Sequence, residues 1–218
     1  HVGLVDDEWR QKFYHIHKHN SPKWFEGAQF TFGQEPNNSW RAFEVARRGI
    51  TNPETNDVYT VDLVAFRALA AYRKSGKKDP RLNFYHYDPV KTLAETLDSL
   101  FLATRVVKEL IYEDIRRQMF ATLPSRSTCV WLIPDSEKAV RFWLDNIRGD
   151  NKKVYRVNAT GELHRASQQS VMGETISISE WRKRAQDYWN GADTESYDDE
   201  LILNGDIEIL EELPLSNF

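Results

Sequence analysis

Apolar and polar residues alternate over Gln11 to His17, and the β-forming side chains there predict a strand. A turn at Ser21-Pro22-Lys23-Trp24 leads to a short second strand over Gly27 to Gly33. Asn37-Asn38-Ser39 supplies N-caps for a helix over Trp40 to Arg48. From Asp57 to Lys74 the apolar residues Val61, Leu63, Val64, Phe66, Leu69, Ala70 and Tyr72 fall close to helical spacing, and Gly76 and Asp79-Pro80 break that helix. After an aromatic loop over Asn83 to Pro89, a long helical region is predicted over Val90 to Phe120, in two pieces. In its second piece Ala103, Val107, Leu110, Ile111, Ile115 and Met119 form one apolar stripe that reads as core. Glu113 and Arg117 pair on the opposite, outer face.

Leu123-Pro124 ends that helix, because a residue before proline avoids helical backbone angles. A polar turn, Ser125-Arg126-Ser127-Thr128, leads into a buried strand through Ile133. Asp135 or Ser136 caps a helix over Glu137 to Ile147. Lys153 to Val157 and Glu162 to Arg165 predict a hairpin turning at Ala159-Thr160-Gly161. Ser177 or Ser179 caps a last helix, Glu180 to Trp189, which Asn190-Gly191 closes. The end of the chain reads as another strand, a tight Asn204-Gly205 turn and a strand, since Asn-Gly tolerates the positive φ angles of a two-residue hairpin. In the first of these strands Leu201 and Leu203 share one face, and Glu200 and Ile202 the other. Glu200 is therefore either a solvated edge residue or a placed catalytic carboxylate.

A chain of 218 residues suits one sizeable domain, or one domain with an inserted helical lobe. Its 7 Trp serve core packing or an aromatic-lined cleft. Cys129 is the one cysteine, which excludes an intrachain disulfide and a thiolate zinc site and fits a reducing, cytoplasmic location. No run of about eighteen apolar residues is present to span a membrane as a helix. The net charge of -4 is unevenly spread. Nine acidic and no basic residues lie between Asp193 and Glu212, which leaves 29 basic against 24 acidic residues elsewhere. Basic clusters at Arg73 to Arg81, Arg116-Arg117, Arg148 to Arg156 and Arg182 to Arg184 are either solvated faces or a surface for nucleic acid. His15, His17 and His19 share one strand face, but no matching carboxylate or further histidine cluster completes a metal site. Cys129 sits inside an apolar strand, where a thiol is inert.

The order of parts carries a further signal: a strand bearing Phe13-Tyr14-His15, a helical lobe, Ser125-Arg126-Ser127-Thr128 before a strand and helix, then Val154 to Gly161, and finally Asp198-Asp199-Glu200-Leu201-Ile202-Leu203. This order resembles the ADP-ribosyltransferase superfamily, which cleaves NAD at the nicotinamide-ribose bond. The small bacterial rifampicin ADP-ribosyltransferases are similar in the Phe-Tyr-His strand, the Ala- and Trp-bearing helix and the Thr-Gly turn. The final carboxylate-x-Glu strand looks more like that of toxin-type members. Leu123 to Arg126 also resembles a Leu-Pro-Ser-Arg motif of an uncharacterised prokaryotic domain family. The likeness covers about half the chain, at its two ends. Trp131 or Cys129 stands where the family often has a nicotinamide-stacking Tyr, and Ile16-His17 replaces a Thr or Ser after Gly.

The resemblance implies an α+β fold, a pair of small antiparallel sheets around an NAD cleft, as one domain over 1–218 with a helical insertion at about 40–120. It implies transfer of ADP-ribose from NAD to a macromolecule (RNA, DNA or protein), as in an intracellular bacterial toxin or phage-defence effector. Glu200 would then stabilise the oxocarbenium-like transition state, with Asp198 orienting the acceptor. His15 would hold the adenosine ribose, Arg126 clamp the diphosphate, with Ser125 or Ser127 adding a hydroxyl, and Trp131 stack on nicotinamide. Bland readings stand beside each: a strand histidine for His15, a surface arginine or a tie to Glu113 for Arg126, a cap for Ser125, core for Trp131 and a solvated acid for Asp198. A small-molecule acceptor and plain NAD hydrolysis are variants of the same chemistry. A rival is a non-catalytic module of the same fold that binds NAD, ADP-ribose or a protein partner, with the acidic stretch as its surface or as the seat of an antitoxin.

Overall fold

A computed structural model describes residues 3–5, 11–18, 21–44, 49–77, 89–147, 149, 151–172, 177–192, 194 and 196–218. The chain divides into two compact units, His1–Arg41 with Glu109–Phe218, and Ala42–Lys108. The first is built on two 14-residue strands, β7 (Lys153–Ala166) and β8 (Glu200–Leu213), which pair antiparallel from Val154↔Leu213 to Ala166↔Glu200. Neither Thr160-Gly161 nor Asn204-Gly205 is a turn, so the two expected hairpins do not form. The two glycines face each other across the ribbon, at φ 138° and 150°. A Cβ on Gly161 would lie 2.3 Å from the Asn204 carbonyl oxygen, and one on Gly205 2.1 Å from that of Thr160. Glycine is needed there for close approach of two backbones, not for reversal of one.

Four short strands flank the ribbon. β1 (Gly3–Val5) and β2 (Gln11–His17) pair with β7; β3 (Gln29–Phe32) and β6 (Val130–Leu132) pair with β8, all antiparallel. β2 runs beside the first half of β7 and β6 beside the first half of β8, at diagonal corners of the ribbon. Those corners meet: Tyr14 and Ile133 exchange backbone hydrogen bonds of 3.0 and 2.8 Å. The expected pair of packed sheets is thus one six-stranded sheet, curled until its corners touch. With the helices this is a mixed α/β architecture on an antiparallel sheet. Alternation puts Phe13, Val130, Leu132, Tyr155, Val157, Leu201, Leu203 and Ile207 together in one core cluster.

The other face is covered by helices. α4 (Glu137–Asn146), capped by the Ser136 hydroxyl, lays Ala139 and Val140 on Tyr14, Ile16 and Val154. α5 (Ile178–Asn190) starts at the Ser177 cap and ends at Gly191 in the left-handed region. It packs Trp181, Ala185, Tyr188 and Trp189 with Tyr112, Ile115 and Ile202.

Tyr112 and Ile115 belong to α3 (Pro89–Met119), one unbroken helix where two pieces were expected. Its buried face also departs from the predicted stripe. Val107, Leu110 and Met119 are exposed, whereas Glu113 is only 3% exposed and bonds Arg116 rather than Arg117. The expected outer-face pair is an inner one, because Glu113 satisfies the backbone of the turn that follows the helix.

In the second unit β4 (Gly49–Thr51) and β5 (Val58–Thr60) form an antiparallel hairpin, turning through Asn56 at φ 59°. α2 (Val61–Ser75) follows and ends at Gly76, so the helix predicted from Asp57 begins four residues later, after a strand. The short α1 (Asn38–Glu44), capped by the Asn37 carboxamide, runs into this unit at Ala42. The aromatic loop over 83–88, Val45 to Arg48 of the predicted first helix, and His19 lie outside the described residues.

Candidate functional site: a buried arginine between two glutamates

The turn after α3 is shaped by its own polar atoms. Ser125 Oγ accepts from the Ser127 amide (3.1 Å) and lies 2.7 Å from Ser127 Oγ, while its carbonyl accepts from the amides of Thr128 and Cys129. Asn37 ties the same turn to the segment after β3, donating from Nδ2 to the carbonyls of Arg126 (2.8 Å) and Cys129 (3.1 Å). Ser125 thereby takes the turn-forming role. The turn aims Arg126 inward, and its side chain is 5% exposed.

The Arg126 fork is bound on both sides. Nε and Nη2 donate to the two carboxylate oxygens of Glu109, at 2.7 and 3.0 Å. Nη1 donates to Glu200 Oε2 and to the Tyr188 hydroxyl (2.8 Å). Tyr188 in turn donates to the same Glu200 oxygen at 3.1 Å. The rings of Tyr188, Tyr112 and Trp131 surround the guanidinium at 5.0, 5.8 and 5.9 Å. Glu113 accepts from the Arg126 amide (2.9 Å), and Arg116 links it on to the Leu123 carbonyl. Burial by itself would lower the Arg126 pKa, but Glu109 and Glu200 more than offset it and hold it well above its ordinary value. Burial also pushes the Tyr188 hydroxyl well up, so it stays a hydrogen-bond donor, and pushes the Cys129 thiol well up, which keeps it inert.

Glu200 opens β8 beside Ala166 of β7, and its side chain is 10% exposed. Its Oε2 is fixed by a cation and a phenol; among the described residues nothing donates to Oε1. The result is an oriented carboxylate with one oxygen anchored. Asp198 precedes the strand in a turn, bonded at 3.4 Å by Gln169. The buried acid beside it is Asp199, which accepts from Arg165 Nε at 2.7 Å.

The predicted site residues therefore fall into two groups. Arg126, Glu200 and the Trp131 ring come together, with Ser125 shaping their turn. His15 belongs to the opposite face of the sheet, across from Tyr155, where it stacks on Trp24 at 4.8 Å. Its Nδ1 contacts the Trp131 carbonyl at 2.9 Å, so its link to the Arg126 group runs through backbone. Burial pushes the His15 pKa down to about 4, against the raising effect of that carbonyl. His17 also stacks on Trp24, at 4.1 Å. Among the described residues no group of three or more His, Cys, Asp or Glu could hold a metal ion.

Glu109 and Tyr188 were not anticipated. Glu109 carried a signal: with Tyr112, Glu113 and Arg116 it falls at i, i+3, i+4 and i+7, a polar stripe aimed at the turn that ends their own helix.

The chain belongs to the family described as "Protein of unknown function (DUF2441)", which it matches over residues 13–214. No curated protein matches it.

Proposed function

We propose that the protein transfers ADP-ribose from NAD to a macromolecular acceptor, with Glu200 as the catalytic carboxylate. The observation that carries this reading is the oriented Glu200 carboxylate at the head of a strand, with Oε2 held by Arg126 and Tyr188. In this reaction the bond from ribose C1′ to the nicotinamide nitrogen breaks, and its electron pair leaves with nicotinamide. Positive charge develops on the ribose. Glu200 stabilises that charge and accepts a hydrogen bond from the 2′-hydroxyl through Oε1. An acceptor nucleophile then bonds to C1′ and releases its proton. A preset carboxylate in a partly dry site reorganises little as the cation forms, which is what such a transition state requires.

The finer fold assignment, an ADP-ribosyltransferase-like domain with residues of about 40–120 as an insertion, belongs to the same proposal, as does a cytoplasmic toxin or phage-defence role. Among the described residues no helix is long and apolar enough to cross a membrane. The proposal assigns Arg126 to orienting Glu200, since its fork is directed at two carboxylates and not outward to a diphosphate.

A second reading has an observation of its own. His15 and Glu200 lie on different faces of the sheet, and a closed ion network also suits a non-catalytic module that binds NAD, ADP-ribose or a protein such as an antitoxin. NAD labelled in its adenylate phosphate separates the two. Incubation with total cellular RNA, DNA and protein is expected to move label into one of these pools. Thermal protection by NAD with no label moved and no nicotinamide released would establish the binding module instead.

A further inference from the structure

Helix α3 holds Arg126 at two points. Glu109 takes the guanidinium through both carboxylate oxygens, and Glu113, one turn further on, takes its backbone amide. The guanidinium plane is fixed by the two bonds to Glu109, and this fixed plane directs Nη1 at Glu200 Oε2. One cation is thereby divided between two carboxylates, in surroundings where Arg126 is 5%, Glu109 13% and Glu200 10% exposed. Glu200 is thereby oriented by a cation that it shares with Glu109.

We infer that Glu109 is a positioning residue: it aims Arg126 and draws off part of its charge, so that Glu200 is fixed in place yet remains an effective anion. Its kinetic consequence rests on the transfer reaction proposed above. Replacing Glu109 with Gln leaves one acceptor where there were two, and no charge. Arg126 then turns its whole charge on Glu200, which becomes a poorer partner for a developing cation while the rest of the ligand contacts persist.

The test has two arms. In the first, nicotinamide release is followed for the wild type, Glu109→Gln and Glu109→Asp. Glu109→Gln is expected to lower kcat about tenfold or more, with KM for NAD within about twofold. Glu109→Asp, which keeps the charge on a shorter arm, is expected to recover part of the loss. An unchanged kcat in Glu109→Gln, or an Asp variant no better than Gln, overturns the inference. The second arm needs no activity and is decisive if the wild type releases no nicotinamide: thermal midpoints of Glu109→Gln, Glu200→Gln and the double variant. Each single change leaves Arg126 one carboxylate, and the double leaves a buried cation with neither. The double is expected to lose about 3 °C or more beyond the sum of the singles. Midpoint losses that add to within about 1 °C show that the two carboxylates do not share the guanidinium, and sink the inference even if the enzyme proves active.

Discussion

The two ends of the β7–β8 ribbon both carry ion pairs, and the pairs do different work. At one end Lys153 meets Glu212 at 2.9 Å and Arg156 meets Glu211 at 2.7 Å, with side chains 34–48% exposed. Aromatic rings, not charges, organise that end: His15, His17 and Phe30 stack on Trp24. At the other end the Arg126–Glu200 pair is sealed under α3 and α5. Water screens the first kind of pair and supplies its groups if the pair breaks, so its net worth is small. Breaking the second kind strands a charge in a dry place, which costs far more than making the pair gains. A cation buried at such risk between two carboxylates marks the end where function is expected.

The sharpest way to break this contrast is Arg126→Ala, which leaves Glu109 and Glu200 buried without their cation. Denaturant unfolding should show a loss of about 3–5 kcal/mol, or no folded protein. A loss under about 1 kcal/mol would place this pair in the same class as the exposed ones.

A second test uses acid. His164 is 1% exposed on β7, donates through Nε2 to the Tyr188 carbonyl at 3.0 Å, and is pushed by burial down to about 4. Its folded pKa lies below the unfolded value near 6.5, so on acidification the unfolded chain takes up the proton first. The stabilisation is complete above about pH 6.5 and is lost as pH falls towards 4, by up to about 3 kcal/mol. Unfolding free energies measured from pH 7 to pH 4 should steepen in this window, and His164→Gln should flatten the profile. His15, also pushed down to about 4, adds in the same direction from the aromatic end.

Gly205→Ala probes the crossing between the two ends. Its Cβ meets backbone, not a movable side chain, and a loss of about 1–3 kcal/mol is expected in the same unfolding assay. The smallest effect is expected at Lys153→Ala, with no resolvable change in thermal midpoint at about 0.15 M salt. A clear drop there would show that the exposed end is held by its charges after all.

These regions were not equally legible in the sequence. β2, β3, α4 and α5 follow directly from alternation, periodicity and Ser caps, because local preference and tertiary packing agree there. The long ribbon was hidden by its own glycines. Thr160-Gly161 and Asn204-Gly205 carry turn chemistry, but each glycine answers to its partner strand, a contact between positions 44 residues apart that no local window contains. Glu200 and Arg126 could be picked out from spacing and order. Their pairing could not, since it depends on the curl of the sheet and on Glu109 and Tyr188 reaching in from two helices. The stripe on α3 held only in part: Ile115 and Ile111 pack in the core, but Val107, Leu110 and Met119 are exposed, and the buried face also carries Glu113 and Tyr112 to serve the turn beyond it.

In the proposed reaction the Glu200 carboxylate acts on NAD. Nicotinamide release by the purified wild type and by Glu200→Gln, each with and without cellular RNA and protein, tests it most directly. Release by the wild type is expected, stimulated by one class of acceptor, with a loss of at least about a hundredfold in the variant and its fold retained. Equal release by both proteins, or none by the wild type under any condition, would contradict it.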